Sequence, residues 1–519
     1  MHINRTLRGR AARTALAGSL ALGLLLVTGR PVLAQQAPAS IGDVTGVTQH
    51  AETVAAAADA TAVEPAAPAA VQGQPPQGPQ RPMFQDIRYD EDWSVLGSNP
   101  ELKGDLWDKV KFIPIEGESY WSLGGELRQR FDYWRDANFG YIPARNIDAL
   151  LMRYQFHADL HVNKNVRAFG QFASALEGGK KGGPWPTDRN PAEIHQAFVE
   201  FMGSPRPGTR WSLRLGRQEM AFGQSHFIST SDFYNTRRAF DGVRLQATKG
   251  SLEFNALVAR PVQNSNGAFD DDSDPNQLFV ATSVFARNPF TPMGRVALFY
   301  IGLTTHQWAW ERGYGRDERH TIGMRMLGMQ GRWDYVYEAL LQHGTFADTI
   351  PIKAWAVTTD TGYTIPTHHW YPRFSVRMNI SSGDGGRGEL GTFNPMFPDN
   401  AYSGKIGLVG PSNSIDVTPN LRVAFTQRIY FIPDFAMFWR QKDTDGIYGV
   451  ISPYVVTPSA GSTKRYIGGQ LSLPMQINIT PHLTYTVAFG HLFAGGFLKD
   501  LEPAGRSVTF LTNFLTYKF

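Results

Sequence analysis

The 519-residue sequence contains no cysteine, which excludes disulfide bonds, thiolate catalysis and zinc sites built from thiolates. It is also poor in charge, with 18% charged residues against 12% aromatic ones. After the first 34 residues there is no clear signal for a long helix, and the mean hydropathy is mildly polar at −0.28. Many aromatic residues among few charges favour alternating strands over apolar helices.

The first 34 residues have the features of a secretory signal peptide. A start rich in arginine is followed by the apolar stretch from Ala15 to Val27 and by small residues ending at Ala34. A membrane-anchor helix is the alternative, but the apolar stretch is shorter than the ~20 residues that a bilayer requires. Without the five arginines of this segment the net charge is about −1, so the pI of about 9.0 does not indicate nucleic-acid binding.

The rest of the chain divides into three parts. Residues 35–82 are rich in Ala, Pro and Gln, and a segment of this kind cannot bury enough apolar surface to fold, so we predict a disordered linker. Residues 83–118 regain aromatic residues without clear alternation, and we predict a periplasmic lead-in or plug segment. Residues 119–519 alternate with a period of two, which is typical of strands with one apolar and one polar face.

About eighteen runs alternate in this way. Around Tyr120 the odd positions are apolar, whereas Glu126, Arg128 and Asp132 occupy even positions. The runs begin near Tyr120, Leu151, Val166, Ile194, Trp211, Gly242, Leu252, Leu278, Arg295, Thr321, Trp333, Ile352, Arg373, Arg422, Phe435, Arg465, Leu483 and Ser507.

The connections between these runs alternate between short turns, such as 163–165 and 249–251, and long loops, such as residues 381–418. This asymmetry predicts an all-β fold: a transmembrane antiparallel β-barrel of about 18 strands with short periplasmic turns and long extracellular loops. The last run ends on Phe519, which resembles the signature by which barrel-assembly machinery recognises its substrates. We therefore expect a protein of the cell outer membrane of a Gram-negative bacterium, exported through its signal peptide and surrounded by outer-membrane lipid.

Several strands carry arginines in register with their polar residues. An arginine that faces lipid near the membrane midplane costs about 2–4 kcal/mol, whereas one in a wet lumen costs little. Repeated placement toward lipid would compete with the ~5–15 kcal/mol of a typical folding free energy. We therefore expect ten arginines to line the lumen and bind anions: Arg128, Arg130, Arg153, Arg214, Arg244, Arg325, Arg373, Arg377, Arg422 and Arg428.

The inward acids that the pattern identifies are fewer than these arginines: Glu126, Asp132, Asp159 and Glu338. An excess of cations between low-dielectric walls focuses a positive potential, which selects anions. The alternative is that arginines and acids pair in ladders that only stiffen the wall.

Two loop motifs resemble those of the alginate export family of outer-membrane barrels. The first comprises Gly216, Arg217, Gln218, Glu219, Phe240, Asp241 and Gly242, and the second comprises Phe393, Asn394, Pro395, Phe397 and Pro398. The resemblance spans about Tyr120 to Phe519 and implies a monomeric eighteen-stranded barrel with an electropositive pore that exports an anionic polysaccharide.

The two motifs also allow three structural hypotheses. Asp241 is expected to pin the first loop through Arg237, Arg238 or Arg244. A bulge at Gly216 would turn Arg217 inward, whereas strict alternation would turn it outward near the membrane rim. The second motif suits a loop folded into the pore or over its mouth.

Three functional hypotheses follow. The first is passive diffusion of an alginate-like anionic polysaccharide or oligosaccharide through an arginine-lined pore, without cofactor or metal. The second is a general porin for the uptake of small anions and organic acids. The third is a lipid hydrolase, for which only the proximity of Ser225, His226 and Ser229 argues. The acidic run Asp270–Asp274 lacks the regular spacing of a calcium loop.

Overall fold

The computed structural model describes residues 81–519 except 142–145, 222–226, 288–290, 292–293, 400–406, 451–454 and 502–503. The predicted signal peptide, residues 1–34, lies outside the described residues. The predicted linker, residues 35–82, also lies outside them except for its last two residues.

Eighteen antiparallel strands of the described chain form one closed barrel, and β1 pairs with β18 to complete it. Strand β15 is interrupted, and both of its pieces pair with β14 and β16. The strands are β1 Tyr120–Arg135, β2 Ile147–Asn163, β3 Val166–Gly178, β4 Asn190–Arg206, β5 Thr209–Gln218, β6 Phe240–Lys249, β7 Leu252–Gln263, β8 Gln277–Arg287, β9 Arg295–Trp310, β10 Gly313–Gln330, β11 Trp333–Phe346, β12 Ile350–Thr364, β13 Arg373–Ser381, β14 Ser414–Ala424, β15 Ile429–Phe431 with Asp434–Arg440, β16 Tyr466–Asn478, β17 Leu483–Ala494 and β18 Val508–Lys518.

The predicted barrel and its strand number are confirmed, and each predicted run corresponds to one strand. Two strands begin eight residues before the predicted position. Strand β10 begins at Gly313 rather than near Thr321, because its first outward positions include Arg316 and Glu318 and lack an apolar alternation. Strand β14 begins at Ser414 rather than near Arg422. It contains Pro419, which has no backbone N–H to donate to the ladder and is unusual within a strand.

The connections are asymmetric, as the sequence predicts. Two-residue turns at 164–165, 207–208, 250–251 and 331–332 lie at the end that holds the first residue of β1 and the last of β18. The opposite end carries the loops 219–239, 382–413 and 441–465. Two connections at that opposite end, 311–312 and 347–349, are short, so not every outer connection is a long loop.

The remaining elements are short. Two α-helices of the N-terminal segment span Val95–Ser98 and Asp108–Lys111, and a third spans Gly496–Lys499. The 3-10 helices are Arg88–Asp90, Pro100–Leu102 and Ala137–Gly140, and the minor strands are Ile113–Pro114, Asp272–Ser273, Ile447–Tyr448 and Val455–Thr457. No helix in the described ranges is long and apolar enough to cross a membrane.

The two faces of the wall differ as period-two alternation requires. Large apolar side chains such as Leu215, Ile322 and Leu341 are exposed on the outer face. The inner face is polar at mid-height, and toward the long-loop end it packs against loops that enter the barrel, in two apolar clusters around Phe233 and Phe397. Because the outer face is apolar and the inner face polar, the barrel suits a lipid surround and a hydrated interior.

Candidate functional site

The loop between β5 and β6 enters the barrel with its described residues, 219–221 and 227–239, and is held by arginines of the wall. We call it the first inward loop. Arg128 donates to the main-chain carbonyls of Asp232 at 2.7 Å and Tyr234 at 2.6 Å. Arg153, on the neighbouring strand, donates to the same two carbonyls at 2.9 and 3.1 Å. Loop carbonyls inside a barrel need donors, and these guanidinium groups supply several each.

An ionic network fixes the same loop from within. The Asp232 carboxylate accepts from Arg153 at 2.7 Å and from Arg237, and Arg128 lies 3.8 Å away. Arg237 also donates to Glu219, which contacts His195 of β4 at 2.8 Å. Attraction to the Arg153 and Arg237 guanidinium groups holds the pKa of Asp232 well below its usual range, against the desolvation that opposes ionisation. The carboxylate therefore stays ionised and joins loop to wall.

The loop between β13 and β14 also enters the barrel with its described residues, 382–399 and 407–413, and we call it the second inward loop. Its Phe397 donates its N–H to the Phe227 carbonyl of the first inward loop at 2.9 Å. Arg238 donates to the Phe397 carbonyl at 2.8 Å. The rings of Phe240 and Phe397 lie 5.4 Å apart, and each lies 5.2 Å from Phe279. The two sequence motifs, far apart in the chain, therefore meet in space.

Other residues of the second motif are buried within that loop. The Asn394 main-chain N–H donates to Gln342 of the wall at 3.0 Å, and its side-chain oxygen accepts from the Met396 N–H at 2.8 Å. Phe393, Pro395 and Pro398 are buried beside it. The structure places this motif inside the barrel rather than over its mouth.

Most of the predicted arginines face inward and pair with acids. Arg128, Arg130, Arg153, Arg214 and Arg325 are buried. The ion pairs are Arg130 with Asp132, Arg153 with Glu126, Arg214 with Glu200, Arg325 with Glu338, and Arg373 with Asp334 and Asp360. The sequence reasoning undercounted the inward acids, because Glu200, Asp334 and Asp360 also face the lumen.

The other predicted arginines differ from one another. Arg244 and Arg377 are half-buried on the inner face. Arg422 of β14 is the register partner of Arg373 on the neighbouring strand β13. Its guanidinium carbon lies 5.7 Å from the Tyr430 ring centroid, and no carboxylate of the described residues lies within salt-bridge distance of it. Arg428 was predicted wrongly to line the lumen, because it lies in the exposed turn between β14 and β15.

The first motif keeps strict alternation. Gly216 pairs with Gly242 without a register shift, and Gln218 is buried on the inner side. Arg217 follows Leu215 onto the outer side and forms an ion pair with Asp241 at 2.8 Å. The proposed bulge is therefore absent from this described ladder. Asp241 is held by Arg217 and by Ser273 at 2.6 Å, rather than by Arg237, Arg238 or Arg244 as expected.

The sequence left open whether residues 83–118 are a periplasmic lead-in or a plug, and it did not show which of their side chains enter the barrel. Tyr89 is buried between Phe169 and Phe198, at ring distances of 6.0 and 5.3 Å, and the Arg214 guanidinium lies 3.9 Å from its ring centroid. The Tyr89 hydroxyl donates to the Glu219 main-chain carbonyl at 2.7 Å. The aromatic residues of this segment were the only signal of its burial in the sequence. They lack the periodicity that would show which side chains point into the barrel.

A cavity of about 240 Å³ lies between the two inward loops and the wall. Its lining includes Arg237, Arg238, Met396 and Phe397 from the loops and Trp308 from β9. Within the described chain, the Trp308 Nε1, the Thr236 hydroxyl and the Ser231 hydroxyl are buried without a hydrogen-bond partner. The cavity thus combines apolar faces and polar donors with two guanidinium groups that also hold the inward loops.

Of the three residues that suggested a hydrolytic site, the structure describes only Ser229. Ser225 and His226 lie outside the described residues, and the Ser229 hydroxyl donates to Asp399 at 3.0 Å. In the acidic run, Asp271 accepts from the Asn190 side chain and the Ser265 N–H. Among the described residues no group of His, Asp and Glu has the arrangement of a metal site.

Solved outer-membrane porins share this fold. A BenF-like porin from Pseudomonas fluorescens Pf-5 aligns with 9% identity and a TM-score of 0.53, covering 77% of this chain and 98% of the porin. Pseudomonas aeruginosa OpdK with vanillate aligns with 11% identity and a TM-score of 0.52, over 76% of this chain and 98% of OpdK. Pseudomonas aeruginosa OccK2 (OpdF) in complex with glucuronate aligns with 10% identity and a TM-score of 0.50, covering 76% of this chain and 98% of OccK2. Such low identity shows the fold alone.

The fold and its polar interior are those of an outer-membrane β-barrel channel. The family model described as Alginate export matches residues 119–511, so the chain belongs to the alginate export family. A search of the curated proteins gives no match.

Proposed function

We propose that this channel passes an anionic polysaccharide or oligosaccharide across the outer membrane by passive diffusion. The observation that carries the proposal is the cavity between the two inward loops, whose lining joins Arg237 and Arg238 to the faces of Trp308 and Phe397. A sugar ring presents apolar C–H faces and a rim of hydroxyl groups, and a uronate adds a carboxylate. The aromatic faces complement the C–H faces, and the hydroxyl and indole donors complement the rim of hydroxyl groups. The positive charge of Arg237 and Arg238, which also hold the inward loops, attracts the carboxylate.

The size of the cavity supports one ring at a time. Its volume of about 240 Å³ is below the ~300–1,000 Å³ of pockets that hold drug-sized ligands. The paired arginines of the wall offer only weak attraction, and a polymer must be released at each site if it is to move. Because the barrel closes within one chain, we propose that the channel acts as a monomer.

A porin for small organic acids is the second candidate. Two of the similar porins are solved with vanillate and with glucuronate, and both are ring compounds with one carboxylate. The same cavity would accept a single ring of this kind. The two candidates differ in the length of the passenger.

Block of ion current in planar bilayers tests the proposal. Oligouronates should reduce the current of the purified channel at lower concentration than neutral oligosaccharides of equal length. Trp308→Phe keeps the ring and removes the N–H, so it should weaken oligouronate block about fivefold, the value of one net hydrogen bond. Trp333→Phe, at an exposed position of the outer face, is the matched control. Equal block by charged and neutral oligomers would refute an anionic passenger.

A further inference from the structure

The N-terminal segment, residues 81–119, is seated on the seam where the barrel closes. Arg88 donates to the main-chain carbonyls of Gly125 at 2.9 Å and Phe519 at 3.0 Å. Lys111 donates to the same Phe519 carbonyl at 2.9 Å. The Trp107 ring lies 4.3 Å from the Phe519 ring. The segment therefore binds the first and last strands together at the periplasmic end.

The same segment reaches upward to the first inward loop. Arg237 of the loop donates to the Asp86 carbonyl at 3.0 Å, and Tyr89 donates to the Glu219 carbonyl. Arg167 of the wall donates to the Tyr89 carbonyl at 2.5 Å. Contacts of one segment thus run from the periplasmic mouth to the loop that narrows the barrel.

These contacts are of a kind that can be released. In the described chain the segment joins the sheet only through Ile113 and Pro114, which pair with Trp121 and Tyr120. Its other contacts with the barrel are side-chain hydrogen bonds, ion pairs and contacts between rings. They include a rim contact between Asp105 and His482 at 2.5 Å and an ion pair between Asp86 and Lys518 of β18 at 3.4 Å.

We propose that residues 81–112 are an autoinhibitory plug that narrows the periplasmic side of the lumen and swings out about the Ile113–Tyr120 connection to open the channel. The plug also holds the first inward loop through Asp86 and Tyr89, so its release loosens the constriction. This device requires no passenger of a particular kind. It is therefore independent of the carbohydrate proposal.

Substitution within the plug gives the first test. The double variant Arg88→Met and Tyr89→Ala loses several hydrogen bonds, and each of them strengthens docking of the segment roughly fivefold. In a planar bilayer between potassium chloride solutions, the open fraction should therefore rise about tenfold or more. Leu106→Ala, at an exposed site of the same segment, should leave the current unchanged. Heat-modifiable migration in gels confirms that each barrel is folded before it is measured.

A reversible cross-link tests the same idea on one folded molecule. Because the chain has no cysteine, Asp105→Cys with His482→Cys creates a unique pair across the plug and the barrel rim. A short bis-methanethiosulfonate reagent should hold the channel in its low-conductance state, and reduction should restore large openings. Each single-cysteine variant controls for the reagent. If the cross-linked channel opens as often as the reduced one, the segment is not a plug.

Discussion

Substitution of Asp232 should weaken the attachment of the first inward loop to the wall more than any other single change. The Asp232 carboxylate is shared by Arg153 at 2.7 Å, by Arg237, and by Arg128 at 3.8 Å. Asp232→Asn keeps the shape and one acceptor oxygen but removes the charge. Three guanidinium groups then remain around a neutral side chain, and the loop should leave the wall more readily.

The magnitude follows from the cost of breaking a buried ion pair. Removing one partner of such a pair costs about 3–5 kcal/mol. The Asp232 side chain is 20% exposed, and asparagine retains an acceptor, so the lower limit of about 3 kcal/mol applies. Because about 1.4 kcal/mol corresponds to a factor of ten, the fraction of molecules with the loop released should rise about a hundredfold.

Single-channel recording measures that fraction directly. Asp232→Asn should show frequent transitions to a larger conductance that are rare in the wild type. Asp270→Asn, in an exposed acidic loop, is the control and should behave like the wild type. Unchanged conductance and unchanged opening frequency in Asp232→Asn would show that this carboxylate does not hold the constriction.

Three further predictions concern other parts of the molecule. Burial lowers the pKa of Lys111, which lies 3.9 Å from Glu91, from 10.5 to about 7, so the released segment binds more protons than the docked one between these two pH values. The open fraction should therefore fall as pH rises through this window, by up to about tenfold per pH unit. Lys111→Met should abolish this pH dependence. Gly216→Val should destabilise the folded barrel by about 2 kcal/mol in urea titrations, because a Cβ at φ +128° would lie 2.3 Å from the Ala197 carbonyl oxygen; no change would contradict the strain. Arg422→Gln should lower the anion-to-cation permeability ratio about twofold, whereas exposed Arg428→Gln should not; equal effects would deny Arg422 a role in selectivity.

The barrel could be predicted from the sequence because alternation and loop length are local signals. The inner and outer faces of a strand such as β1 can be identified from the alternation of its own residues. The length of a turn such as 250–251 follows from the distance between two alternating runs. The start of β10 was missed because its outward residues Arg316, Glu318 and His320 are polar, which removes the apolar half of the alternation.

The interior was less predictable because its contacts join residues far apart in the chain. Arg214 has the alternation of a lumen residue, but nothing local shows that Glu200 pairs with it at 2.9 Å or that Tyr89 covers it. In the same way, the expected partners of Asp241 were its neighbours in sequence, whereas its observed partner Arg217 comes from the adjacent strand. Pairing across strands depends on register, which the sequence does not display.

Flux of oligouronates of increasing length into liposomes that contain the purified channel tests the central claim most directly. The proposed function predicts that oligomers of several uronate rings enter, that their rate falls only gradually with length, and that neutral oligomers of equal length enter more slowly. The Trp308→Phe channel should favour uronates less strongly. Entry of single-ring acids alone, with longer oligouronates excluded, would contradict polysaccharide passage and identify a small-acid porin.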